Sequence, residues 1–166
     1  FFSRLDEMDF LQEGHRLEFE KPSDSSTDLT FKGVVYNEMK GAMSSPVSQL
    51  WQLFTRHLFP TTTYHYNSGG DPEQITNLSY VGLKSFYKKH YHPSNAVFLT
   101  FGDIPASEHQ EKMHRMALSR FTKKDQKIEI PDEQRYCAPI RVQENYPIEK
   151  DETIENKTHI VLGWLL

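Results

Sequence analysis

An α+β fold is what this sequence predicts, on three observations. Apolar residues recur at helical spacing in several separate stretches, such as Leu83, Phe86, Tyr87 and His90. Between them lie short β-prone apolar runs at 96–101 and 160–166. The two kinds of segment are separated by Pro, Gly, Ser and Asp clusters at the spacing of loops.

The elements follow in order. Residues 4–12 read as the tail of a helix, ended by Gly14. His15, Leu17 and Phe19 then alternate with Arg16, Glu18 and Glu20, the period of a half-buried strand. Residues 22–28 form a polar loop, and Asp28 or Thr30 is placed to cap the next helix, which carries Glu38. Ser44-Ser45-Pro46 breaks that helix and starts another, because proline suits a first turn. The second helix runs to about Leu58 and buries Leu50, Leu53, Phe54 and Leu58. Residues 60–72 are a loop with two glycines. Ser79 caps the helix that ends near His90, and Pro93 lies past its end.

Residues 96–101 are almost wholly apolar and predict a central strand buried on both faces. Gly102-Asp103 turns the chain. Pro105 opens a helix reaching roughly Phe121, with Met113, Met116, Ala117 and Phe121 inward. Residues 123–131 are charged and loop-like around one short strand, Lys127-Ile128-Glu129-Ile130. Ile140, Val142, Glu144 and Tyr146 alternate as another strand, residues 147–157 form an acidic connector, and residues 160–166 form the last strand.

Composition narrows the functions. A net charge of −4 carries no nucleic-acid footprint. No apolar run approaches the ~20 residues of a membrane span. The single Cys137 excludes an internal disulfide. A mean hydropathy of −0.67 is polar for a compact globule; it fits a piece whose apolar faces partly serve neighbours, and it fits any soluble domain as well.

The chemistry concentrates at Glu38. Helical face-mates lie three and four residues apart, so Val34, Val35, Gly41 and Ala42 share its face. None is basic, and Lys40 points away. A carboxylate among apolar and small residues needs a cationic partner. A metal ion held with another part of the molecule is one answer; an arginine from elsewhere is the other. The remaining candidates carry less. His90 and His92 flank Tyr91 where a helix ends, so their side chains diverge. His109 and His114, five apart on a helix, lie about 140° from one another. Glu111 and His114 match half of a di-iron motif with no second copy. Gly69-Gly70-Asp71 lacks the Lys-Ser/Thr continuation of a phosphate loop and reads as a turn. Ser44 and Ser45 have no base nearby in sequence. Asp6, Glu7 and Asp9 read as a solvated helix face.

Four blocks carry a family resemblance. They are Phe10-Leu11-Gln12-Glu13-Gly14-His15, Lys32-Gly33-Val34-Val35-Tyr36-Asn37-Glu38-Met39-Lys40-Gly41, Ser68-Gly69-Gly70-Asp71-Pro72 and Tyr91-His92-Pro93-Ser94-Asn95-Ala96. In this order and at these separations the chain resembles the M16 zinc metallopeptidases, the inverted zincins, in the branch containing presequence protease and falcilysin. The resemblance is weakest between 123 and 157.

That resemblance implies a mostly antiparallel sheet with helices packed on one face. It implies residues 1–130 as the C-terminal portion of the first peptidase domain and 131–166 as a connector with the first strands of the next. It implies Glu38 as the distal zinc ligand and Asn37 as a residue that orients or hydrogen-bonds behind it. The other ligands and the general base belong to an H-x-x-E-H helix, and none of the eight histidines sits in that pattern. The chain is therefore expected to be a fragment starting after the catalytic helix, inactive alone and weak or empty in zinc. The absence of an initiator Met and the apolar run at 160–166 point the same way. Its expected partners are peptide substrates and the remainder of the same polypeptide, which would enclose unstructured peptides in a chamber. A non-catalytic structural or assembly subunit of the same superfamily is the alternative. For compartment, the texture after the Glu38 helix favours bacterial cytoplasm or periplasm, with the mitochondrial matrix expected for a eukaryotic source.

Overall fold

The computed structural model describes residues 1–125 and 128–166. By contacts the chain divides into two units: residues 1–7 with 78–129, and residues 8–77 with 130–166.

Helix α1 (Glu7–Asp9), whose residues from Met8 on belong to the second unit, continues without a break into a π-helical turn over Phe10–Gly14, because Asp9 keeps helical dihedrals. Strand β1 (Arg16–Phe19) then pairs antiparallel with β2 (Leu29–Lys32), in the register Arg16↔Lys32 to Phe19↔Leu29. The alternation at 15–20 is thus a strand, with Phe19 half-buried as expected, but Leu17 faces solvent while Arg16 and Glu18 are half-buried. Glu18 bridges Arg16 on its own strand at 2.7 Å and Lys32 across the pair at 3.4 Å. The hydrogen bond from Arg16 holds its carboxyl below the ordinary range, partial burial opposes this, and Lys32 adds to it.

Strand β2 corrects the expected cap. Residues 29–32 alternate as Leu-Thr-Phe-Lys, a strand period that competes with capping by Asp28 or Thr30. Helix α2 (Val34–Ala42) begins only after it, with an extended Gly33 as N-cap and no side-chain cap. Helix α3 (Pro46–Leu58) starts at the predicted proline. Its Leu50, Leu53, Phe54 and Leu58 are half-buried, short of the full burial expected. Asp71 caps the short helix α4 (Pro72–Ile75) by accepting from the Glu73 amide at 2.9 Å. Ile75, 5% exposed, is the one buried apolar side chain among the described residues. Residues 130–166 join this unit through the Tyr136 hydroxyl on the His57 carbonyl, the His57–Glu144 pair and, with the most bonds, Glu133. Its carboxylate accepts from the backbone and hydroxyls of Thr61 and Thr62 and from the Gln134 amide, at 2.6–3.2 Å.

In the first unit, Ser79 caps helix α5 (Tyr80–His90), accepting from the Gly82 amide at 3.1 Å, as the sequence predicts. Tyr80 donates its hydroxyl to the Leu5 carbonyl at 2.7 Å, where Leu5 takes a left-handed φ of 46°. Phe1 and Phe2 pack against Phe121, and Phe1 also meets Phe98. Helix α6 (Ala106–Met116) is shorter than expected: Ala117, at φ −137° and ψ −60°, leaves the helical region and a 3₁₀ turn over Leu118–Arg120 follows.

The expected strand at 96–101 is absent. These residues carry no regular structure, and Val97, Leu99 and Phe101 are 97%, 88% and 100% exposed. Residues 160–166 behave likewise. Ile160, Leu162, Trp164 and Leu166 are 74–97% exposed, while Val161 and Leu165 between them are half-covered. No strand forms at 140–146, and none over Ile128–Ile130; the rest of that expected strand, Lys127, lies outside the described residues. The physical reason is common to all. A strand is held by the backbone groups of a neighbour, and among the described residues the paired strands are β1 and β2. The fold is mixed α and β, with a two-stranded antiparallel sheet.

Candidate metal-ligand helix

Helix α2 rests on its neighbours by one face. Tyr36, Met39 and Met43, at helical spacing, are half-buried. The Tyr36 ring lies 6.2 Å from Phe31 of β2. The Met39 thioether lies over Gly69, where a Cβ would stand 2.4 Å from Sδ. The opposite face carries Val34, Val35, Glu38, Gly41 and Ala42, all exposed. The apolar stripe around Glu38 therefore exists as expected, but it faces outward.

Glu38 sits fifth in a nine-residue helix. The described ion pairs are Arg16–Glu18, Lys32–Glu18, His57–Glu144 and Lys157–Glu152, and Glu38 takes part in none. An arginine partner from elsewhere in these residues is therefore not found. Asn37 donates its backbone amide to the Gly33 carbonyl at 3.0 Å, and its exposed side chain meets no described hydrogen-bond partner. Among the described residues no three His, Cys, Asp or Glu side chains cluster as a metal site. Glu38 fits zinc as a single oxygen donor: its carboxylate is accessible and unpaired, and a Cβ on neighbouring Gly41 would meet nothing within 4 Å, leaving room for an approaching element. The remaining donors of a four-coordinate ion are not supplied here.

The other candidates settle as structure. His90 lies tilted against Phe86 at 4.4 Å, and His92 meets Phe121 edge-on at 5.3 Å, so the two rings have separate neighbours. Burial, then the charge of Lys124, pushes His92 down, and its Nδ1 accepts from the Ser94 amide. His109 is half-buried on α6, and Glu111 and His114 are exposed. The Gly69-Gly70 turn is closed by Asn67, which accepts both glycine amides at 2.9 and 3.0 Å, and Gly70 takes φ +96°. Ser44 donates to the Gly41 carbonyl at 2.6 Å. Asp6, Glu7 and Asp9 are exposed.

Two residues of consequence escaped the sequence reading. Gly33 carried a signal, as the one glycine between a period-two run and a helical one. Glu133 carried none, since its partners lie 71 and 72 residues away.

Known proteins supply the context. Residues 77–166 match the family described as the peptidase M16 inactive domain. The mitochondrial presequence protease of Xenopus tropicalis is 45% identical over 139 residues, 84% of this chain and 14% of that protein. That of Schizosaccharomyces pombe is 47% identical over 107 residues, 64% of this chain and 11% of that protein. The chloroplastic/mitochondrial presequence protease 1 of Arabidopsis thaliana is 35% identical over 164 residues, 95% of this chain and 14% of that protein. The chain spans about a seventh or less of the length of these relatives.

Proposed function

The chain belongs to the M16 peptidase family, and on that premise we propose that it is a segment of a zinc metalloendopeptidase that degrades unstructured oligopeptides. Within it Glu38 is the distal zinc ligand. The observation that carries this reading is the outward, unpaired Glu38 carboxylate at the centre of a bare Val34, Val35, Gly41 and Ala42 face. A second element covering that face would exclude water from the carboxylate and leave a cation as its natural partner. The resemblance supplies that element as the H-x-x-E-H helix, outside these residues.

The division of labour follows. Zinc, when held, supplies Lewis acidity at the scissile carbonyl. Glu38 contributes one anionic oxygen donor, and Asn37 hydrogen-bonds behind it. The bare runs at 96–101 and 160–166 become strands of a mostly antiparallel sheet with helices on one face. Residues 1–130 close the first peptidase domain and 131–166 lead into the next. Alone the chain hydrolyses no peptide, because the general base is elsewhere. The names of the relatives support a mitochondrial or plastid setting over a bacterial one.

In the full-length protein, Glu38→Gln is expected to lower zinc content after dialysis and to abolish most peptide hydrolysis, since a neutral amide is a poorer ligand. Wild-type zinc content and activity in that variant would overturn the assignment. A non-catalytic subunit is the second reading, favoured by the inactive-domain description of residues 77–166. An intact H-x-x-E-H preceding this segment decides for the peptidase, and a degenerate one for the subunit.

A further inference from the structure

We propose that Gly33 is a positioning residue for Glu38, a role that rests on the zinc-ligand reading above. The antiparallel register ends at Arg16↔Lys32, so the next residues, His15 and Gly33, leave the sheet side by side. Gly33 is buried there, at the point where β2 becomes α2. A Cβ on Gly33 would stand 2.0 Å from the Gly14 carbonyl oxygen, 2.7 Å from its carbon and 3.0 Å from the His15 Cα. All three are backbone atoms, so no side chain can swing aside. Gly33 has φ 169° and ψ 151°, an extended geometry open to any residue. The demand for glycine is therefore one of space alone.

The space sets the helix. The Gly33 carbonyl accepts the first α2 hydrogen bond, from Asn37, the residue beside Glu38. The π-helical turn that presents the Gly14 carbonyl packs on α2 and is itself fixed by the Arg16 guanidinium, which donates to the Leu11 carbonyl at 3.3 Å. Any side chain at position 33 pushes the start of α2 away from this turn. Glu38 lies little more than one helical turn on, so a shift at the cap is carried almost undiminished to its carboxylate. A metal ligand tolerates displacements of a few tenths of an ångström, far less than the overlap a Cβ would create.

The test uses the full-length protein with three variants. Gly33→Ala is expected to weaken zinc affinity by roughly 10- to 100-fold, the range seen when groups that orient a ligand are removed, and to lower kcat more than it raises KM. Gly14→Ala is the control. Its Cβ would meet only the Phe10 ring at 3.4 Å, so the carbonyl stays in place and zinc affinity stays near wild type. Glu38→Gln separates the two claims. If Glu38→Gln keeps its zinc, the ligand reading fails whatever Gly33 does. If Glu38→Gln loses zinc while Gly33→Ala binds it as wild type does, the positioning role is overturned and the ligand reading stands. Should Gly33→Ala not fold, amide exchange in the unaltered protein decides. The π-helical turn and residues 37–39 are expected to open as one unit, and independent opening of the turn overturns the role.

Discussion

Leu99 is 88% exposed in the 166-residue chain, yet the proposed architecture makes it a core residue of a sheet. The two conditions differ by a measurable free energy. Truncating an exposed leucine changes stability by no more than about 0.5 kcal/mol. Truncating a buried one costs about 2–5 kcal/mol, the lost transfer of its methyl groups plus the cavity left behind. At a urea slope of ~2–2.5 kcal/mol/M that cost moves the unfolding midpoint by roughly 0.8–2.5 M. The experiment is Leu99→Ala in the full-length protein, followed by urea denaturation through tryptophan fluorescence. Ile75→Ala, at a side chain 5% exposed already within this chain, gives the reference for a buried truncation. A Leu99→Ala midpoint within ~0.2 M of wild type, beside a clear fall for Ile75→Ala, would refute the reasoning: residues 96–101 would then be as bare in the whole protein as they are here.

Two further outcomes follow from the hydrogen bonds. Loss of water around Glu133 pushes its carboxyl up, but the donors on Thr61, Thr62 and Gln134 outweigh this and bring it from the ordinary 4.5 down to about 2. The folded-state value is the lower one, so the carboxylate's contribution is complete above pH 4.5 and is lost as the pH falls through about 2. Glu133→Gln is expected to lower the thermal midpoint at pH 7 and to converge on wild type near pH 2; a gap that persists unchanged at low pH contradicts the clasp. Tyr80→Phe, which removes the bond to the Leu5 carbonyl, is expected to destabilise by about 0.5–1.5 kcal/mol and to speed amide exchange around residues 3–5; unchanged exchange there contradicts the contact.

Helices were legible because their signals are local. Pro46, Ser79 and the apolar spacing of α5 each lie within a few residues of what they specify, and α3 and α5 begin where the sequence places them. Strands were less legible. The alternation at 15–20 found its partner 10 residues on and became β1, whereas the stronger run at 96–101 found none within the described residues. An apolar run states that a segment is to be covered and is silent on what covers it. At the site, Glu38 and its face-mates were readable from helical periodicity. Which way the face points was not, because that depends on Phe31, Gly69 and the π-helical turn, whose approach to α2 is set by the chain path between them.

The Glu133 clasp bears on the order in which the chain folds. It joins residues 72 apart, and closing a loop of that length costs about 3.8 kcal/mol in chain entropy. On a ribosome adding ~5–20 residues per second, Glu133 emerges roughly 4–14 s after Thr61. Through that interval the amides of Thr61 and Thr62 have only water to donate to, while α3, complete just before them, is already free to form. The loop after α3 is thus fixed late, by a residue synthesised long after it. Nascent chains arrested before Glu133 should leave that loop open to proteases, and chains arrested well beyond it should not.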